Sequence, residues 1–206
     1  AETLTDETIQ TMAEEDKICK YIDIPIQHGS DTVLKRMGRK TSSKLISDKI
    51  AALRTAMPDI CIRTTIITGF PGETEEEFAE VCGFVEKMRF DKLGVFTYSP
   101  EEGTPAAEMD NQIDEEVKEE RKNYIMEIQK RISAEKCEEM IGKTIKVITD
   151  GKIPEEGVYC GRSYKDAPDI DGLVFFKADY EIMSGDFADV KINEASDYDL
   201  IGEAVY

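Results

Sequence analysis

The sequence predicts an α/β fold, a run of parallel strands joined by crossover helices, followed by a small antiparallel β-barrel. Three observations predict it. Over residues 1–139 helix-period and strand-period segments alternate, the pattern that sets parallel strands beside crossover helices. A long helical pattern at roughly 114–139 closes that part, with Gly142 as its stop. From residue 143 the runs become short, strand-like and separated by Gly, Asp and Pro, as in small all-β modules. The chain therefore divides at 1–139 and 140–206.

The elements follow in order. Thr5 is a good N-cap, with Asp6 and Glu7 in the first turn and Ile9, Met12 and Ala13 on one helical face. YIDIPIQ (21–27) reads as a short buried strand. The next helix starts near Thr41-Ser42-Ser43, carries Ile46, Ile50, Leu53 and Met57 at 4, 3, 4 spacing, and ends at Pro58. CIRTTIITGF (61–70) is rich in β-branched residues and predicts a strand. Thr74 and Glu77 form a capping box that opens a helix with Phe78, Val81, Cys82, Val85 and Met88 on one side. KLGVFTYS (92–99) is a third strand. In the long helix, Val117, Tyr124, Ile125, Ile128 and Ile132 face one way and the other side reads as a charged, solvated face. TIKVITDG, GVYCGRS, GLVFFK, ADVKI and LIGEAVY are the barrel strands.

Composition narrows the class. A 206-residue chain that is 40% hydrophobic can bury an ordinary core. No apolar run approaches the ~18–20 residues of a membrane span, and AETLTDETIQ has no basic or apolar leader segment. A soluble, cytoplasmic protein is expected. Acids outnumber bases 44 to 26, a net charge of −18. Phosphate backbones need clustered Lys and Arg, so nucleic acid is disfavoured and a basic protein partner is favoured; simple solubility accounts for the charge equally well. Cysteines at 19, 61, 82, 137 and 160 form no CxxC or CxxxCxxC group, so the sequence contains no metal-ligand set and reads as holding free thiols.

Ligands of parallel α/β structures bind at the carboxyl ends of the strands, and three segments end there. IPIQHGSD offers Gln27, His28, Ser30 and Asp31; these either serve a ligand or satisfy backbone groups at a strand end. ITGFPGETEEEF has a Gly-Phe-Pro-Gly turn, which either admits a flat ligand close to the backbone or only makes a tight connection. FTYSPEEGTPA places Tyr98 and Ser99 after the last strand. Arg63, inside a strand, is either a carboxylate clamp or half of a structural salt bridge. His28 is the only histidine, which leaves little for a Ser-His-Asp relay or a histidine metal site.

YIDIPIQHGSD, RTTIITGFPGETEEEF and FDKLGVFTYSPEEGTPA, in this order and spacing, resemble the second half of the radical S-adenosylmethionine barrel of methylthiotransferases. The last 65 or so residues resemble the TRAM module, an OB-like barrel, that ends those enzymes. The resemblance implies a half barrel at 1–139 and a TRAM barrel at 140–206. It also implies that Gln27 and Ser30 line the ribose and methionine side of S-adenosylmethionine, and that Arg63 meets its carboxylate. Gly69, Phe70, Pro71, Gly72 and Glu73 would pack against the adenine, and Tyr98 would close the far side. GRSYKDAPDIDG (161–172) is similar to RimO-type members, which modify an aspartate of a small-subunit ribosomal protein. Arg162, Asp166, Asp169 and Asp171 are thus the expected partner-binding residues, and an acidic barrel suits a basic ribosomal protein better than tRNA.

Family enzymes hold two 4Fe-4S clusters on cysteine sets that this sequence lacks. The expectation is a part of a longer enzyme, without catalytic residues of its own, inactive alone, and with strand edges that a half barrel leaves open. Two alternatives remain, a tRNA adenosine methylthiotransferase and a non-catalytic module that binds a basic protein.

Overall fold

The computed structural model describes residues 3–154 and 157–205, in two compact units, Ala1–Gln129 and Lys130–Tyr206. The first unit is built on a three-stranded parallel sheet, β1 (Tyr21–Asp23), β2 (Cys61–Thr68) and β3 (Lys92–Thr97), in that order. Its helices are α1 (Asp6–Glu14), α2 (Asp31–Arg36), α3 (Ser43–Ala56) and α4 (Glu75–Met88). The local signals act as written. Thr5 and Ser42 accept the N–H groups of Thr8 and Leu45, and the Thr74–Glu77 capping box opens α4. α2 is absent from the sequence reading; at six residues it has too short an apolar pattern to register.

The predicted first strand, 21–27, is regular only to Asp23. Pro25 has no N–H to donate, so the ladder breaks there. The Thr64 hydroxyl fills the gap, donating to Ile24 O (2.8 Å) and accepting from Ile26 N (3.3 Å). Gln27 then resumes pairing, exchanging bonds with Thr65 O and Ile67 N.

Along β2 the two faces differ. Ile62, Thr64, Ile66 and Thr68 are fully buried, and Ile46 and Ile50 of α3 meet Ile24, Ile26 and Ile62. On the other face Arg63, Thr65 and Ile67 are half-buried, and Phe96, opposite Ile67 on β3, is 59% exposed. Parallel sheets are normally covered on both faces. Among the described residues of this unit the second face is covered only in part, with Ile67 packed against the Val33, Phe70 and Tyr98 cluster while Phe96 stays exposed.

A long helix, α5 (Glu115–Glu138), follows. The second unit contains the barrel strands β4 (Thr144–Ile153), β5 (Val158–Arg162), β6 (Val174–Lys177), β7 (Phe187–Ala195) and β8 (Leu200–Val205), closed in the order β4-β5-β6-β8-β7. Tyr206, part of the last predicted run, lies outside the described residues. The core holds Val147, Val174, Val190 and Ile192, with Tyr159 stacked on Phe176 at 5.6 Å. Register shifts in β4 and β7 mark bulges that help a small sheet curl shut. The barrel is not wholly antiparallel, because β6 and β8 run parallel. Five strands cannot alternate direction around a closed ring, so an odd-numbered barrel must contain such a seam.

Candidate functional site

Three segments meet at the carboxyl end of the first unit's sheet. After β1, Gln27 takes a left-handed conformation (φ 72°), and the chain turns into buried His28 and Ser30. The Ser30 hydroxyl pairs with that of Thr32 at 2.9 Å. After β2 comes the Gly69–Glu73 turn. Gly69 has φ +70°, and a Cβ there would lie 2.2 Å from Lys118 Cγ, so both backbone and space require glycine. Pro71 is buried, and Gly72 (φ +74°) donates its N–H to Asn111 O at 2.9 Å. After β3, Tyr98 packs edge-on to Phe70, ring centroids 5.2 Å apart, in one cluster with Val33. The Tyr98 hydroxyl is buried and has no hydrogen-bond partner among the described residues. Such an orphan costs about 1–3 kcal/mol, which a bound polar group would offset.

Glu73 does not face outward. Its carboxylate is fully buried and accepts from Gly69 N (3.1 and 3.2 Å) and from Arg121 Nη1 of α5 (2.7 Å). It also meets His28 Nε2 at 3.2 Å. The Ser30 N–H donates to His28 Nδ1 (3.0 Å), so Nδ1 bears no proton and Nε2 is the donor to Glu73. Burial works against the charge on Arg121, but the hydrogen bond it donates to Glu75 and the charge of Glu73 outweigh it and raise its pKa.

The charged pattern of the sequence puts Lys118 and Arg121 on a solvated face. They are buried, 2% and 5% exposed, on a stripe that continues through Ile125, Gln129 and Ile132, while Tyr124 is 58% exposed. The reason is the sheet beneath them. Lys118 Nζ donates to Tyr98 O (3.0 Å), Arg121 to Glu73 O (3.1 Å) and Gln129 Nε2 to Phe90 O (3.0 Å). These carbonyls sit at strand ends and turns, where no ladder pairs them, and burial demands partners. The 3, 4, 4, 3 spacing of 118, 121, 125, 129 and 132 is a helical face, visible in the sequence only if polar residues are allowed into it.

Gln27, Ser30, Gly69–Glu73 and Tyr98 are thus gathered at one end of the sheet. Arg63 stands apart, on the barer face and about 10 Å along β2 from the level of Gln27. It pairs with Asp23, its cross-strand neighbour. The residues present bring hydroxyl, amide and backbone polar groups beside a buried apolar wall of Val33, Phe70 and Tyr98, chemistry compatible with S-adenosylmethionine. They do not fit an iron–sulfur cluster. Among the described residues no group of three or more His, Cys, Asp or Glu is placed to hold a metal. Cys61 and Cys82 are buried, and burial together with Glu86 pushes Cys82 up to about 11.

In the second unit, the loop after β5 carries the other predicted residues. Arg162 clasps Asp150 through Nε (3.0 Å) and Nη2 (2.9 Å), which raises its pKa. Asp166 accepts from the Ser163 hydroxyl (2.6 Å) and N–H (3.2 Å), and Asp171 from Ala167 N (2.9 Å). These two hold the loop's shape. Asp169 (φ 62°) and Ile170 are exposed at its tip.

Two families match the chain: the Radical SAM superfamily over residues 1–85 and the TRAM domain over residues 141–205. Curated relatives align almost end to end with the chain. The ribosomal protein uS12 methylthiotransferase RimO of Lachnoclostridium phytofermentans is 52% identical over 98% of the chain and 46% of the relative. Its counterparts in Clostridium novyi and Clostridioides difficile are 50% and 47% identical, over 98% and 100% of the chain and 45% and 46% of those proteins. The chain spans a little under half the length of these relatives.

Proposed function

From a chain that joins a radical SAM segment to a TRAM domain and is similar to RimO methylthiotransferases throughout its length, we propose that it is the cofactor-contacting and partner-docking part of a ribosomal protein uS12 methylthiotransferase. The acceptor would be an aspartate of that protein. What carries the reading is the convergence at the sheet's carboxyl end. Gln27, Ser30, the Gly69–Glu73 turn and Tyr98 come together there, and the Tyr98 hydroxyl is left buried without a partner among the described residues.

In this reading Gln27 and Ser30 hold the ribose and methionine side of S-adenosylmethionine, and the Gly69-Phe70-Pro71-Gly72-Glu73 backbone lies against its adenine. Tyr98 closes the far side, its hydroxyl gaining a hydrogen bond. Arg63 meets the carboxylate, a role that requires it to share or exchange its bond with Asp23. The cofactor supplies radical chemistry and a methyl group. The two 4Fe-4S clusters that accompany it belong to parts of the protein beyond this chain, which alone would be inactive. The barer sheet face, with Thr65, Ile67 and Phe96, is where the remaining strands would close the barrel. The setting is cytoplasmic, where its substrate is made.

The TRAM barrel is the docking part. Residues 140–206 hold 14 acidic and 7 basic residues, a charge suited to a basic small-subunit ribosomal protein and repelled by tRNA. Arg162, Asp166, Asp169 and Asp171 are the contacts proposed. Since Asp166 and Asp171 also hold the loop, Asp169 is the clean probe, and asparagine tolerates its left-handed conformation.

The test uses the full-length protein, reconstituted anaerobically and offered purified uS12 or tRNA. One methylthio group gained on a uS12 aspartate is expected; modification of tRNA adenosine alone would overturn the assignment. Asp169→Asn should slow association with uS12 about two- to threefold at low salt and little at physiological salt, where charges are screened beyond ~8 Å. An unchanged low-salt rate would remove the loop from the interface.

A further inference from the structure

We infer that His28, Glu73 and Arg121 form a positioning relay that fixes the two loops of the cofactor site, one after β1 and one after β2, against α5. The inference rests on reading that site as the S-adenosylmethionine pocket, and none of the three residues needs to touch the reacting atoms.

The relay is continuous. The Ser30 N–H donates to His28 Nδ1, His28 Nε2 donates to Glu73, and Arg121 and the Gly69 N–H donate to the same carboxylate. Its backbone ends, Ser30 N and Gly69 N, lie in the two loops that present Gln27, Ser30 and Phe70. Arg121 also grips Glu73 O and, through Nη2, Glu75, so the first turn of α4 is tied in. Its guanidinium lies over the Phe78 ring, 5.2 Å from the centroid.

A purely space-filling role does not explain the choice of side chains. Burying an acid and a base costs desolvation energy that an apolar trio of similar volume avoids, so such groups are weak evidence for stability. What they supply is direction. Each hydrogen bond has a required angle and length, and three converging donors leave Glu73 one arrangement. Both loops otherwise contain left-handed backbone, at Gln27, Gly69 and Gly72, and few ladder bonds to hold them. Small displacements of positioning groups cost binding and rate steeply.

Two measurements test the relay. His28 is the only histidine, so nitrogen NMR of this chain gives a single imidazole pattern. The relay requires an unprotonated Nδ1 and a protonated Nε2 at neutral pH; an Nδ1–H tautomer or a doubly protonated ring would overturn it. The second measurement is S-adenosylmethionine affinity in the reconstituted full-length protein. His28→Asn keeps an acceptor near the Nδ1 position but loses the Nε2 donor, and Arg121→Lys keeps charge but loses the fork. Each should weaken cofactor binding about tenfold, and the double variant should be scarcely worse than either single one, because both act through Glu73. Folded variants that bind as the unmutated protein does, or whose effects simply add, overturn the relay alone. An unmutated protein that binds no S-adenosylmethionine overturns the site reading and the relay's role with it.

Discussion

Replacing Glu77 by glutamine removes one charge from the junction of α2 and α4 while keeping the side chain's size. Glu77 receives Arg36 on both oxygens (2.9 and 2.6 Å), the Thr32 hydroxyl (2.6 Å) and the Thr74 N–H (3.0 Å). The Arg36 hydrogen bonds, chief among these, hold the carboxyl at about 2 instead of the usual 4.5, against the opposing effect of partial burial. A difference of that size corresponds to roughly 3 kcal/mol between folded and unfolded states. Arg36 is one-third exposed, and solvent screening reduces the contribution to about 2 kcal/mol. Because the folded value is the lower one, this stability is present above pH 4.5 and is lost as the pH falls toward 2. Urea unfolding followed by the helical circular-dichroism signal should show Glu77→Gln less stable by about 2 kcal/mol at pH 7. The gap should narrow by about a third to a half at pH 3.5. A deficit below about 0.5 kcal/mol at pH 7 would mean an ordinary surface pair. A deficit unchanged at pH 3.5 would mean that the lost interaction is not the charge.

Two further predictions follow from the backbone and the barrel. Gly69→Ala places a methyl group 2.2 Å from Lys118 Cγ at φ +70°, whereas Gly103→Ala, at φ +79°, meets nothing within 4 Å. Thermal unfolding should show a loss of about 3 kcal/mol or more for the first and about 1 kcal/mol for the second, and equal losses would refute the crowding. Residues 143–206, expressed alone, should fold to a β-rich barrel, since every strand pairing in it is internal. A random-coil amide spectrum would show that the barrel depends on the residues before it.

Most of the scaffold was legible because the signals that specify it are local. Thr5, Ser42 and Thr74 each cap a helix within three residues of themselves, and the β-branched run of β2 needs no distant partner to be recognised. α2 was invisible for the opposite reason: its six residues become a helix in the company of Glu77, 41 residues from Arg36. The seam between β6 and β8 follows from strand number alone, because five strands closed in a ring cannot all be antiparallel neighbours.

The site divides along the same line. That the loops after β1, β2 and β3 would converge could be read from topology, because parallel strands deliver their carboxyl ends to one side. What holds the loops there could not, since it comes from α5, a helix whose charged residues were all assigned to solvent. Apolar periodicity ranks Lys118 and Arg121 as surface and Tyr124 as core, and the structure reverses each of these. The reversal has a cause that hydropathy does not contain. The backbone carbonyls of Tyr98, Glu73 and Phe90 need donors, and a helix crossing strand ends must bring them on its inner face. The donors lie 20, 48 and 39 residues from their acceptors, too far for any window of sequence to connect. A long helix after the last strand of a parallel sheet should therefore be searched for Lys, Arg and Gln at 3 and 4 spacing before its polar side is given to water. In this chain Lys118, Arg121 and Gln129 share such a face with Ile125 and Ile132, and through Arg121 it reaches Glu73 and the only histidine.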